Sequence, residues 1–237
     1  MKVVIREDID KYMDELKSWL LETRNVPLEE MDSFFSARID GYEEHMQVWK
    51  DAYEEFAGLV PKECGHILDL GCGTGLELDR LWERLPDIKV TGVDLCQSML
   101  DKLVEKHPDR CFEAVCMDYF AYDFGVEKWD AVISFESLHH FLPEQKKILY
   151  RRIFKSLKEN TKFIIGDYIA CCDEEEELLR RTYFEKKRSF NGPPDEFVHF
   201  DIPLTLAHEI KLLKEAGFAS VEAAGSIEGA TMIIAKK

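Results

Sequence analysis

The chain of 237 residues suits one large domain, or one domain with an appended lid. Its 47 acidic and 31 basic residues leave a formal charge of -16. That balance weighs against nucleic-acid and anionic-membrane partners, whose affinity is built from cationic contacts. The N-terminal stretch holds no apolar run long enough for a signal peptide, and nowhere is there one long enough for a membrane span. Seven cysteines, an odd number without a CxxC pair, read as reduced thiols of a cytoplasmic protein. Scattered Cys and His lack ligand spacing, so no metal site is expected. The oligomeric state is left open.

Along the chain, Ile9, Tyr12, Leu16, Trp19 and Leu20 follow helical spacing, and a second helical stretch is expected from about Ser33 to Val60. Both read as peripheral helices. After Pro61, strands and helices alternate. His66–Leu70 is a short apolar run ending at a glycine cluster, as a buried parallel strand does. Leu78, Leu81, Trp82 and Leu85 form the stripe of a helix packed on a sheet. Strands follow at Lys89–Asp94, Phe112–Cys116, Ala131–Phe135 and Lys162–Tyr168, with a helix from Pro143 to about Leu157. Residues 171–204 interrupt this rhythm with a charged helix and a turn. A helix over Thr205–Ala216 stops at Gly217, before closing strands near 220–223 and 230–235. The expected fold is α/β: a Rossmann-like, seven-stranded, mostly parallel sheet with an antiparallel last strand, helices on both faces, and N-terminal helices besides.

The sequence Asp69-Leu70-Gly71-Cys72-Gly73-Thr74-Gly75 follows a strand and opens a helix, the context of a nucleotide-binding turn. Asp94 ends the next strand, where a carboxylate can accept from both hydroxyls of a ribose. On these residues the chain resembles the class I S-adenosylmethionine (SAM)-dependent methyltransferases. ILDLGCGTG is similar to their first motif, TGVDLC to the second, and CMDYF and WDAVISFESLHHF to weaker third and fourth motifs. The resemblance covers roughly residues 61–236. It implies SAM as cofactor and S-adenosylhomocysteine as product. Asp69 would belong to the cofactor site, the backbone around Gly71, Cys72 and Gly73 would lie against the methionine part, and Asp94 would hold the ribose. Leu95 and Met99 would sandwich adenine, Asp118 would accept from its amino group with Tyr119 alongside, and Phe135 would border the methionyl group.

Methyl transfer from a sulfonium needs alignment and exclusion of water more than a fixed set of catalytic groups. A base is needed when the acceptor must lose a proton. His139 and His140, after the fourth strand, are the candidates, since histidine changes charge near neutral pH; Glu136, Asp167 and Tyr168 lie at the same sheet edge. Residues 1–60 are expected to form a helical lid or extension, 61–237 the SAM-binding domain, and 171–204 a substrate-side insertion. Tyr42, His45, Phe197, His199 and Phe200 are candidates to reach the pocket from those parts. The acceptor is expected to be a small molecule, and the acidic surface favours a neutral or cationic one. Two other readings stay open: a non-catalytic SAM-binding scaffold, and a nicotinamide-dependent dehydrogenase, whose G-x-G-x-x-G spacing fails here at Leu76.

Overall fold

The computed structural model describes residues 3–237. Seven strands form one sheet in the order β3-β2-β1-β4-β5-β7-β6. They are β1 His66–Leu70, β2 Lys89–Asp94, β3 Phe112–Cys116, β4 Trp129–Phe135, β5 Leu157–Tyr168, β6 Ser220–Ile227 and β7 Ala230–Lys236. β1 pairs in parallel with β2 and with β4, while β7 runs antiparallel to both of its neighbours. The expected sheet is therefore present, with the last strand reversed. Strand order turns back at β1 and β4, and in open α/β sheets that reversal leaves a crevice at the strands' carboxyl ends.

Alternate residues of each central strand feed two different cores, as period-two side-chain alternation requires. Leu68, Val132, Phe163 and Ile165 pack with Leu149, Ile153 and Leu213 from α7 (Pro143–Ser156) and α9 (Leu206–Ala216). Ile67, Ile133 and Ile164 face the other way, against Phe56, Leu78, Leu81 and Trp82 of α4 (Lys50–Leu59) and α5 (Leu76–Arg84). Between α7 and α9, Lys146 Nζ lies 2.8 Å from Glu209 Oε2, both buried, and the Tyr150 hydroxyl donates to the same carboxylate.

The single helix expected over 33–60 is broken into α2 (Met31–Ser36), α3 (Ile39–His45), a 3-10 turn (Met46–Trp49) and α4. The aromatics of this stretch serve two surfaces that one straight helix cannot face together. Tyr53 and Phe56 pack on Phe135 over the sheet, at ring separations of 4.7 and 5.1 Å. Phe34 instead stacks on His199 at 3.5 Å. α4 thus belongs to the helix layer of the sheet, whereas α1 (Ile9–Glu22), α2 and α3 lie outside it. These outer helices join the insertion. Met31 N donates to Phe197 O at 2.9 Å and His199 N to Glu29 O at 3.0 Å, a two-stranded clasp. α1 meets α8 (Asp173–Lys187) through Tyr12 OH and Glu175, 2.6 Å apart. Among the described residues no helix is long and apolar enough to cross a membrane.

Candidate active site

The glycine turn after β1 is held from two sides. Gly71 has φ of 75°, a left-handed conformation that glycine adopts without strain, and a Cβ there would stand 2.1 Å from Ser137 Oγ. The Asp94 carboxylate accepts from Gly73 N and Cys96 N, each at 2.8 Å, and so ties the turn to the end of β2. Burial pushes the Asp94 carboxyl up, while these backbone donors pull it back.

Of the ten cofactor residues read from sequence, eight line one cleft: Gly71, Gly73, Asp94, Leu95, Met99, Asp118, Tyr119 and Phe135. Cys72 faces a smaller pocket on the other side of the turn. Asp69 does not reach the cleft wall. It is fully buried under the turn with both carboxylate oxygens unpartnered, and burial beside Glu77 pushes its carboxyl well up. The cleft also includes Met31, Asp32 and Phe35 from α2, Tyr42 from α3, and Phe197. Its charged side chains are all acidic, and Glu136 Oε1 is buried there without a partner. An acidic, partly aromatic cleft with a buried, unpartnered carboxylate oxygen fits a cationic nucleoside that carries a sulfonium and an ammonium group.

A second, larger cleft of about 1100 Å³ opens beside it, bounded by α1, α3 and the insertion. Glu136 and His140 line both clefts. Glu136 has φ of 48°, an uncommon conformation outside glycine, fixed by its N–H donating to Gly166 O at 2.7 Å. The following 3-10 turn, Leu138–His140, presents both histidines. His139 Nδ1 lies 2.6 Å from Asp167 Oδ1, and its Nε2 lies 3.5 Å from Asp201 Oδ1. Burial alone would push the His139 imidazole down. The Asp167 carboxylate, its hydrogen bond, and Asp201 and Glu136 beyond it lift the imidazole to about 9. Burial and the neighbouring His139 hold His140 well below the ordinary value. Glu136 is pushed up by burial.

Two groups, His139 with His140 and Asp201, and Glu136 with His139 and Asp167, have ligand atoms within 4.8 Å of one another. Sequence spacing gave no hint of either, because β4, β5 and the insertion contribute separately. The 2.6 Å contact is a direct hydrogen bond. Two ligands on one tetrahedral zinc ion stand about 3.3 Å apart, so a proton, not an ion, fits between His139 and Asp167.

Phe197, His199, Phe200, Tyr42 and His45 all reach one or both clefts. Sequence reasoning missed Ser137, Asp201, Arg6, Tyr12 and the α2 residues. Ser137 lies within the fourth motif and was findable; the others carry no local pattern.

A Rossmann-like sheet with this turn and this cleft defines a nucleoside-cofactor enzyme. A methyltransferase-domain family model matches residues 67–160. The chain is 26% identical to a carboxy-S-adenosyl-L-methionine synthase of Helicobacter hepaticus over 210 residues, 78% of this chain and 86% of that one. A protein of the same name from Helicobacter pylori strain P12 is 28% identical over 183 residues, 72% and 74% of the two chains. Among solved structures, an O-methyltransferase family protein from Burkholderia thailandensis superposes with a TM-score of 0.68 at 17% identity, over 96% of this chain and 70% of that one. Human N-acetylserotonin methyltransferase in complex with SAM gives 0.60 at 20% identity, over 92% of this chain and 61% of that protein. The chain thus spans about three fifths of the human enzyme. Residues 67–160 thus match a methyltransferase domain, and the fold around them is the one that SAM-dependent methyltransferases share.

Proposed function

We propose that the protein moves the methyl group of SAM to a hydroxyl oxygen of a small molecule seated in the larger cleft, with His139 as the base. The observation that carries this reading is the His139–Asp167 pair: His139 lines the larger cleft beside Glu136 and His140, which line both clefts. Bound SAM supplies a methyl group on a positively charged sulfur, which needs only an aligned nucleophile. Gly71, Gly73 and Asp94 position the cofactor, with Leu95 and Met99 against its adenine and Asp118 at the adenine edge. Asp167 fixes His139 with its Nδ1–H directed to the carboxylate, leaving Nε2 toward the acceptor. Nε2 takes the hydroxyl proton as the oxygen–carbon bond forms and the carbon–sulfur bond breaks, releasing S-adenosylhomocysteine. Positive charge beside Glu136 lowers the proton affinity of both Glu136 and His139. Filling the cofactor cleft therefore favours the neutral form of His139, the form that acts as a base.

α1, α2 and α3, with residues 196–200 of the insertion, act as a lid that excludes water. Support comes from Phe35, Tyr42 and Phe197, which the clasp brings onto the cofactor cleft from outside the sheet. The curated relatives' name points to a carboxylated form of SAM. Among the described residues, no Lys or Arg lines the cofactor cleft, which favours the plain methyl cation. All seven cysteines are free, which supports a cytoplasmic location.

The test is turnover of labelled SAM with a panel of hydroxyl, amine and thiol acceptors. Methylated hydroxyl products that vanish with His139→Ala, while S-adenosylhomocysteine still binds, are expected. Undiminished hydroxyl methylation by the variant would overturn the base assignment, and no turnover with any acceptor would favour a SAM-binding scaffold.

A further inference from the structure

Arg6 stands on the wall of the larger cleft, half-buried. It makes no ion pair with any described residue, and its Nε is buried without a hydrogen-bond partner. Its guanidinium carbon lies 4.4 Å from the Tyr12 ring centre and 5.9 Å from that of Tyr168. The buried carboxylate nearby, Glu175, is already satisfied. Its Oε1 accepts from the Tyr12 and Tyr168 hydroxyls, and its Oε2 from Cys171 N at 2.6 Å. Glu228, exposed on the same wall, lies beyond ion-pair distance. A guanidinium carries five donors in a planar fork matched to a carboxylate, and leaving it unpaired at a partly buried site is costly. Tyr168 stands between this cation and the proposed base, with its ring centre 5.9 Å from that of His139.

Resting on the acceptor site proposed above, we infer that the acceptor is a carboxylate-bearing small molecule: its carboxylate pairs with Arg6, its apolar body lies along Tyr12 and Tyr168, and its nucleophilic hydroxyl points to His139. Arg6 is then a specificity-determining residue. The net charge of -16 favours neutral or cationic acceptors in the far field. That far field is screened over about 10 Å, whereas a carboxylate paired with Arg6 acts on it at contact distance.

The experiment uses the full chain saturated with S-adenosylhomocysteine and a panel of hydroxyaryl and hydroxyalkyl carboxylates, each paired with its uncharged primary amide. 4-Hydroxybenzoate against 4-hydroxybenzamide is one such pair. Calorimetry is expected to show at least one carboxylate binding roughly 10- to 100-fold tighter than its amide. Arg6→Met should erase that margin and Arg6→Lys restore part of it, with affinity for S-adenosylhomocysteine unchanged in both. A panel in which no carboxylate outbinds its amide, or an Arg6→Met protein that keeps the margin, overturns the inference. Loss of S-adenosylhomocysteine binding by the unaltered chain would instead strike the cofactor assignment, so the two failures are distinguishable.

Discussion

His139 Nδ1 and Asp167 Oδ1 lie 2.6 Å apart, though 28 residues separate them in the chain. One comes from the turn after β4 and the other from β5, and the two strands are parallel neighbours. The pairing of the sheet brings the two residues together. Because the carboxylate favours the charged imidazole, the pair has a readable titration. NMR of the cofactor-free protein should place the His139 midpoint at about 9. Saturation with SAM should lower it, and S-adenosylhomocysteine, lacking the sulfonium charge, should lower it less. Asp167→Asn should also move it down and reduce kcat by roughly 10²- to 10⁴-fold. Equal midpoints with the two cofactor forms would place the sulfonium away from His139.

The same shift has a stability consequence. A histidine whose folded value exceeds its unfolded value of about 6.5 stabilises the fold fully below that pH and ceases to do so as pH rises through about 9. Melting temperature should therefore fall across that window, and the fall should shrink in His139→Gln. An unchanged slope in the variant would assign the pH dependence to other groups.

The Asp94 carboxylate holds the Gly73 and Cys96 amides, and the proposed function gives it the ribose of bound SAM as well. Asp94→Ala should weaken SAM binding roughly 10- to 100-fold, the loss expected for a charged acceptor. Asp94→Asn keeps one acceptor oxygen and should fall between. Calorimetry showing native affinity in the Ala variant would move the ribose elsewhere. Gly71→Ala should also bind poorly, because its Cβ meets Ser137 Oγ.

If the outer helices and the insertion form a lid, hydrogen exchange should slow on adding S-adenosylhomocysteine in residues 29–45 and 196–200 as well as in the glycine turn. The clasp between Met31 N and Phe197 O couples the two segments, so protection should appear in both. Protection confined to the turn and Asp94 would show that neither segment closes.

Lys146 and Glu209 are buried between α7 and α9 and line neither cleft. Lys146→Ala should cost about 3–5 kcal/mol of stability, because it strands a buried carboxylate. Replacing both with Met and Leu should recover much of that loss. Urea unfolding of the single and double variants checks this; a single variant as stable as the parent would show that water already reaches the pair.

By itself the sequence determined the sheet and the cofactor cleft. Short apolar runs ending in glycine, the helical stripe of Leu78, Leu81 and Trp82, and the spacing of Asp94 are local patterns, each legible within a few residues. The limits of that reading appear at Asp69, whose motif position suggested contact with cofactor. Its side chain is fully buried and is not among the residues that line either cleft, and no linear pattern reports which side of a strand end faces a ligand. The sequence offered Tyr42, His139 and Asp167 as separate candidates for the acceptor site, but tertiary structure alone decided how they meet, and it added Arg6 and Asp201. Arg6, Tyr42, His139, Asp167 and Asp201 come from five separate places, and their charges act on one another only after folding brings them within a few ångströms. It also broke the expected helix over 33–60, because Phe34 has to meet His199 while Phe56 has to meet Phe135. Helical periodicity records that a residue is apolar, but the surface it is buried against is set by partners far along the chain.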